Sequence, residues 1–279
     1  MGPRIIPVVT LGLLAGCGGG GGDTKATCAI PAQATATSAT PKDNLDLSHW
    51  ALTLPVDSNG ANSGIARTVT TAELLSGYES EWFYSSNDNG VTFFAPIQGA
   101  TTANTVYPRS ELREVLDPSN YAVNWSSADV SELLADVIVH QVPSANGKVT
   151  LGQIVGYNGT NPDVSVLTKL IYEYNANECT ARLYTSTLAT PTTSGSQASQ
   201  KTLRVGIPPG AQVSYSIRVE NKTITFTSGT SQVTEPIGTA WDAEGLYFRA
   251  GASLFTNGTS LTDGARVTFL QLEALHPGP

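Results

Sequence analysis

The chain has 279 residues, of which 40% are hydrophobic and only 14% are charged, and its formal net charge is −8 at pH 7. This length and apolar content suit one large domain with its own core. The acidic balance disfavours a nucleic-acid-binding protein or a general binder of anionic membranes, because both need a positive surface. A polyanionic ligand would need a local cluster of arginines that outweighs the global charge.

The first 16 residues are predicted to be a lipoprotein signal peptide rather than part of the fold. Arg4 supplies the positive charge, and residues 5–14 form an apolar stretch too short to span a membrane in the mature protein. Leu14-Ala15-Gly16-Cys17 resembles a bacterial lipobox, in which the cysteine becomes the lipid-modified first residue. No acidic residue stands directly after Cys17, so we expect an outer-membrane lipoprotein or a protein on the cell surface of a Gram-negative bacterium. An ordinary secretory signal with an incidental cysteine is the alternative.

Residues 17–43 are predicted to be a flexible tether, because they are rich in Gly, Ala, Thr, Ser and Pro and have few large apolar side chains. The globular domain is predicted to span residues 44–279. With Cys17 acylated, Cys28 and Cys179 remain. In an oxidising compartment they form one disulfide or stay as two unpaired thiols, and the sequence leaves both open.

Segments that alternate between apolar and polar residues, bounded by Pro, Gly and Asn, predict ten or more strands. The segments are Trp50–Leu54, Val91–Ala95, Glu132–Val142, Lys148–Tyr157, Lys169–Tyr174, Ala181–Thr185, Gln212–Glu220, Thr223–Thr227, Leu246–Phe255 and Ala265–Glu273. Asn221-Lys222 predicts a hairpin turn, and Thr71–Gly77 predicts the one short helix, capped by Thr70 or Thr71. Many strands and little helix predict an all-β sandwich of two antiparallel sheets.

One segment, Tyr107-Pro108-Arg109-Ser110-Glu111-Leu112-Arg113-Glu114, combines arginines and carboxylates on a predicted strand. Alternate residues of a strand share a face, so Arg109, Glu111 and Arg113 are expected to point the same way. Two guanidinium groups that flank a carboxylate suit a ligand with carboxylate groups, which arginine grips with two parallel hydrogen bonds. The alternative is a solvated ladder of ion pairs on an exposed strand.

The segment from Tyr107 to Glu114 resembles the signature of polysaccharide lyase family 7, the alginate lyases with a β-jelly-roll fold. Other parts of the chain are similar to that family in the expected order. These parts are residues 47–55, 93–103, 124–126, 148–156 and 246–255. Residues 148–156 resemble the family's Gln-Ile-His strand, and residues 246–255 resemble its Tyr-Phe-Lys-Ala-Gly strand. The resemblance covers residues 44–275. It implies a concanavalin A-like jelly roll in which one concave sheet forms a groove for a linear acidic polysaccharide.

The reaction that the resemblance implies is β-elimination at a uronic acid. The substrate carboxylate must be neutralised, a base must remove the C5 proton, and an acid must protonate the glycosidic oxygen. The resemblance assigns neutralisation to Arg109 and Gln153, and it places Glu111, Arg113 and Arg249 in the substrate site. It implies no cofactor. The sequence shows no His or Cys cluster at metal-ligand spacing, so no metal is expected.

The residues that move protons in the family have no match here. The family strand that reads Gln-Ile-His reads Gln153-Ile154-Val155, and a valine cannot accept a proton. The family's catalytic Tyr corresponds to Ser253 and its following Gln to Phe255.

Two explanations stay open. In the first, Tyr157 or Tyr247 moves the protons from a shifted position, because each shares a strand face with a matched site residue. In the second, the protein holds polyuronate on a lyase scaffold without cutting it.

We expect a monomeric lyase that acts on alginate, polymannuronate, polyguluronate or glucuronan. The expected site consists of catalytic Arg109, Gln153, Tyr157 and Tyr247 and substrate-binding Tyr107, Glu111, Arg113, Arg249 and Ser253. The three histidines, His49, His140 and His276, match no motif position and are expected at the surface or at strand edges.

Overall fold

The computed structural model describes Cys28 and residues 33–159, 162–191 and 198–277, with only the backbone described for residues 162–164. The predicted signal peptide, Cys17 and most of the predicted tether lie outside the described residues. Within the described ranges, no helix is both long and apolar enough to cross a membrane.

Fifteen strands, two short α-helices and one 3-10 helix, Thr239–Trp241, make up the regular structure of the described residues. The helices are α1 (Pro41–Asn44) and α2 (Thr71–Leu75). The strands are β1 (Trp50–Thr53), β2 (Thr68–Val69), β3 (Phe83–Ser86), β4 (Gly90–Pro96), β5 (Arg109–Glu114), β6 (Ser131–Gln141), β7 (Lys148–Tyr157), β8 (Pro162–Asn175), β9 (Thr180–Thr187), β10 (Ser199–Ile207), β11 (Gln212–Glu220), β12 (Thr223–Ser228), β13 (Ser231–Pro236), β14 (Gly245–Ser253) and β15 (Gly264–Leu275).

The strands form two antiparallel sheets that pack face to face. The front sheet has eight strands in the order β10-β9-β8-β7-β14-β5-β1-β2, and the back sheet has seven in the order β13-β12-β11-β6-β15-β4-β3. The predicted all-β sandwich is therefore confirmed. Leu112 and Phe248 of the front sheet and Phe93 and Phe269 of the back sheet belong to one buried core. Burial of side chains of this size contributes about 1.5–3 kcal/mol each.

Strand β5 shows how the fold separates core from site. Leu112 points into the core, and the hydroxyl of Ser110 donates a hydrogen bond to the carbonyl of Trp82, 2.7 Å away. Because side chains alternate along a strand, Arg109, Glu111 and Arg113 point to the opposite, outer face of the front sheet. The strand lies between β14 and β1, so this charged set occupies the middle of the sheet.

The predicted hairpin turn and the predicted helix cap both agree with the structure. Asn221 and Lys222 have φ angles of 49° and 56° and join β11 to β12 as a tight hairpin. Two positive φ angles in a two-residue turn match the twist of paired strands. Helix α2 is capped by Thr70, which accepts a hydrogen bond from the backbone N–H of Glu73.

The chain packs against the domain earlier than the predicted boundary at residue 44. Ala34 is buried, and its carbonyl accepts a hydrogen bond of 3.0 Å from the hydroxyl of Tyr84. Cys28 and Cys179 form a disulfide with their Cα atoms 5.3 Å apart, which resolves the choice left open by the sequence. The described end of the predicted tether, residues 33–43, therefore contacts the sandwich rather than extending away from it.

Candidate active site

A fully buried carboxylate, that of Glu111, organises the outer face of the front sheet. Its Oε2 accepts hydrogen bonds from Nη1 of Arg109 at 3.3 Å and from Nη1 of Arg249 at 3.2 Å. Its Oε1 accepts a hydrogen bond from the amide of Gln153. A carboxylate is tolerated without water only when it is paired in this way. The carboxylate therefore fixes two guanidinium groups and one amide in a single cluster.

The register of the front sheet sets these side chains in a row. Arg113 of β5 pairs with Arg249 of β14, which pairs with Gln153 of β7, which in turn pairs with Lys169 of β8. Adjacent strands lie about 4.8 Å apart, so four polar side chains cross the sheet at regular spacing. A linear polymer laid across the strands would meet each of them.

Arg113 is oriented by aromatic rings and a carbonyl. Its guanidinium carbon lies 4.3 Å from the ring centroid of Tyr247 and 5.4 Å from that of Tyr121, and its Nη2 donates a hydrogen bond of 2.9 Å to the carbonyl of Tyr121. Cation–π contacts of this kind hold a guanidinium flat against the ring. These contacts hold Arg113 in place, and within the described ranges none of them is to a carboxylate.

Arg109 lies four residues before Arg113 on the same face, opposite Ser253 of β14. It is 8% exposed, and its buried Nε has no hydrogen-bond partner among the described residues. A buried donor without a partner costs about 1–3 kcal/mol.

A glycine brings β14 close to β5 beside the buried carboxylate. Gly251 has a φ of +151°, and a Cβ at this position would lie 2.5 Å from the carbonyl oxygen of Ser110 and 2.7 Å from the Cα of Glu111. A register shift between Ala250 and Ser253, where β14 pairs with β7, accompanies it. Only glycine fits here, because any other side chain would clash with the backbone of β5.

The sequence model of the alginate lyase family matches residues 45–276. The chain belongs to the alginate lyase family. An alginate lyase from Klebsiella pneumoniae is 30% identical to it in an alignment 295 residues long, which covers 89% of this chain and 95% of the relative.

Solved structures agree with this assignment. Alginate lyase A1-II′, described as a member of polysaccharide lyase family 7, is 32% identical and superimposes with a TM-score of 0.75 over 85% of this chain and 99% of its own. The alginate lyase from Pseudomonas aeruginosa is 31% identical, with a TM-score of 0.73 over 83% of this chain and 99% of its own. The predicted jelly roll is thus confirmed, and the protein is a polysaccharide lyase, which disfavours the binding-only alternative.

Within this alginate lyase scaffold, Lys169 is a polar residue of the site that the sequence reasoning missed. Its Nζ lies 5.0 Å from the ring centroid of Phe255. Burial lowers the pKa of Lys169, the charge of Arg109 lowers it further, and Glu111 opposes the shift. The signal in the sequence was a single lysine within the long strand β8, between Thr168 and Leu170.

The two tyrosines predicted to move protons occupy different surroundings. Tyr247 is fully buried beneath the guanidinium groups of Arg113 and Arg249, whose carbons lie 4.3 and 5.7 Å from its ring centroid. Tyr157 is partly exposed at the end of β7, and its hydroxyl donates a hydrogen bond of 3.2 Å to the carbonyl of Gly159. Its backbone is four residues, or roughly 13 Å, from Gln153 along the strand. Both catalytic roles stay predictions.

The remaining predicted residues lie beside the cluster. Ser253 is buried opposite Arg109, and Tyr107, which precedes β5, is 39% exposed. Val155 is buried on the same face of β7 as Gln153, opposite Tyr247.

The histidines contact other parts of the sandwich. His140 lies in β6 of the back sheet, and its Nε2 is 2.9 Å from the hydroxyl oxygen of Thr268. It lies near the end of β6, as expected, but it is 6% exposed rather than at the surface, because the alternation of β6 breaks there and two successive residues are buried. His276 is 2.5 Å from a carboxylate oxygen of Glu114, on the core side of β5. His49 Nδ1 is 3.3 Å from a backbone carbonyl, that of Val115.

Proposed function

We propose that this protein cleaves alginate by β-elimination on the outer face of the front sheet. The observation that carries the proposal is the pair of guanidinium groups, those of Arg109 and Arg249, on the buried carboxylate of Glu111, with Arg113 beside Arg249 in the same row. Three guanidinium groups and one carboxylate lie together on this face, so the site attracts anions although the whole chain carries −8. Alginate lyase A1-II′ has been solved with product (GGG) and with substrate (GGMG).

Arg109 is the residue best placed to neutralise the carboxylate of the sugar. Its Nη1 is held by Glu111, and its side chain is still 10% exposed on the outer face of the sheet. A carboxylate neutralised by a guanidinium withdraws electrons from C5, which makes the C5 proton acidic and stabilises the enolate-like transition state. Gln153 donates its amide N–H to the same carboxylate and pairs with Arg249 across the sheet, so its amide group lies beside the guanidinium groups.

A rate measurement tests this assignment. The full chain is incubated with alginate, mannuronate-rich blocks, guluronate-rich blocks or glucuronan, and the ultraviolet absorbance of the unsaturated product is followed. We expect absorbance to rise with at least one polymer, and Arg109→Ala to lower kcat/KM by about 10²–10³-fold, as removal of one preorganised donor does.

The matched control is Arg182→Ala. Arg182 lies in the same sheet, on β9, but pairs with Glu173 at 2.6 Å and is about half exposed. It is expected to keep nearly full activity. Binding of a polymer without any rise in absorbance would instead favour a protein that only holds polyuronate.

We also propose that the protein is exported and anchored to the outer membrane or cell surface through Cys17, and that it acts there as a monomer. The lipobox-like segment Leu14-Ala15-Gly16-Cys17 supports the anchor. The disulfide between Cys28 and Cys179 supports an oxidising compartment. Cell fractionation tests the anchor: Cys17→Ser is expected to move the protein out of the membrane fraction, and an unchanged distribution would contradict it.

A further inference from the structure

We propose that Lys169 is the proton-transfer residue of this site, which takes the C5 proton of the bound uronate and returns a proton to the leaving glycosidic oxygen. This inference rests on the proposed lyase function. It names a residue for the acid and base of the reaction, because Val155 and Ser253 stand where the resemblance expects a catalytic histidine and a catalytic tyrosine.

The placement of Lys169 carries the argument. Its backbone pairs with Gln153, one strand away, so its side chain projects from the same row as the carboxylate-binding residues. Its Nζ reaches the ring of Phe255, which follows β14 two residues after Ser253. The ammonium group therefore lies across β7, towards the end of β14 where Ser253 pairs with Arg109. Ser253 is smaller than the tyrosine that the resemblance expects at this position.

Lys169 also differs from lysines of the same sheet in its partners. Lys148 forms an ion pair with Glu173 at 3.1 Å, and Lys201 forms one with Glu235 at 3.3 Å. Within the described part of the chain, Lys169 has neither an ion pair nor a hydrogen bond; its contact is the aromatic ring. A largely buried ammonium group without a carboxylate partner is costly, so the neutral amine is favoured.

The surroundings of Lys169 favour its neutral form. Burial lowers its pKa, and the charge of Arg109 lowers it further. Glu111 opposes this, but it is shared between two guanidinium groups. An amine whose pKa is lowered towards the working pH is an effective general base.

The step balances without a co-reactant. With the sugar carboxylate held by Arg109, the lone pair of Lys169 Nζ takes the C5 proton. The electron pair of the C5–H bond becomes the second bond between C4 and C5, and the bond between C4 and the glycosidic oxygen breaks. That oxygen takes a proton from the ammonium group, so Lys169 ends neutral, as it began.

One group can serve both proton transfers only when the C5 hydrogen and the glycosidic oxygen at C4 are on the same face of the sugar ring. That arrangement holds in mannuronate and glucuronate, whereas in guluronate the two are on opposite faces. The proposal therefore assigns the site to mannuronate-type linkages, and mannuronate-rich blocks should be cleaved faster than guluronate-rich blocks.

Two variants of Lys169 test the role in the full chain. Lys169→Ala should lower kcat by about 10²–10⁴-fold with a smaller change in KM, the usual contribution of a positioned acid or base. Lys169→Arg keeps a long basic side chain at this position, but a guanidinium does not deprotonate in proteins, so kcat should fall as far. Added ethylamine should restore part of the activity of Lys169→Ala, while Lys148→Ala should keep full activity.

The pH profile gives an independent readout. Because the neutral amine is the active form, kcat/KM of the wild type should rise with pH through the pKa of Lys169 and then level off. That rise should be absent from the residual activity of Lys169→Ala. Lys169→Arg with wild-type kcat would overturn the inference and leave the lyase function standing. No cleavage by the wild type of any of the four polymers would overturn both.

Discussion

Replacing Glu111 by Gln would test whether one buried carboxylate holds the site together. The change keeps the size of the side chain but removes the negative charge that two guanidinium groups share at 3.3 and 3.2 Å. At an effective dielectric constant of about 20, each pair attracts with about 5 kcal/mol, most of which is offset by the cost of removing the ions from water. The variant keeps that cost and loses the attraction, because Arg109 and Arg249 stay buried.

We therefore expect the free energy of unfolding to fall by about 3–5 kcal/mol, the range measured when one partner of a buried ion pair is removed. Urea unfolding followed by the fluorescence of the four tryptophans measures it, with an unchanged slope indicating the same unfolded state. The control is Glu220→Gln, since Glu220 pairs with Arg218 at 3.3 Å but is 49% exposed, and it should cost less than about 1 kcal/mol. An equally small loss for Glu111→Gln would refute this reasoning.

Three further predictions follow from the same geometry. Reduction of the disulfide between Cys28 and Cys179, which are 151 residues apart, should lower stability by about 2–5 kcal/mol, and an unchanged melting temperature would contradict this. Gly251→Ala should destabilise the fold and lower kcat through its clash with Ser110, more than Gly60→Ala, where φ is also positive but no atom lies within 4 Å. Added salt should raise KM for the polymer, because ions screen charges over about 8 Å at 0.15 M; a salt-independent KM would argue against an arginine-based site.

Most of the strands could be predicted because their patterns are local. Lys148–Tyr157 and Gln212–Glu220 alternate strongly and end at turn residues, and both were predicted with the bounds that the structure shows. Strand β10, Ser199–Ile207, was missed because most of its side chains are exposed, so its sequence lacks apolar alternation. Its position at the edge of the front sheet accounts for that composition.

Only the site residues that share one strand, or that match the family's motifs, could be predicted from the sequence. Arg109, Glu111 and Arg113 share one face of one strand, so alternation alone placed them together. Lys169 was not predicted because its approach to the cluster depends on the register between β7 and β8, which shifts three times along their length. Tyr247 was correctly predicted to share the outer face of β14 with Arg249. Its burial could not be predicted, because it depends on the guanidinium groups of Arg113 and Arg249 that lie over its ring.

Cleavage of a polyuronate by β-elimination leaves a mark in the masses of the products. The wild-type chain would be incubated with mannuronate-rich alginate, and the oligosaccharides analysed by mass spectrometry. We expect fragments with an unsaturated sugar at the newly formed non-reducing end, each lighter by one water than the corresponding hydrolysis product. Fragments that have gained water, or a polymer that stays intact while it binds, would contradict it.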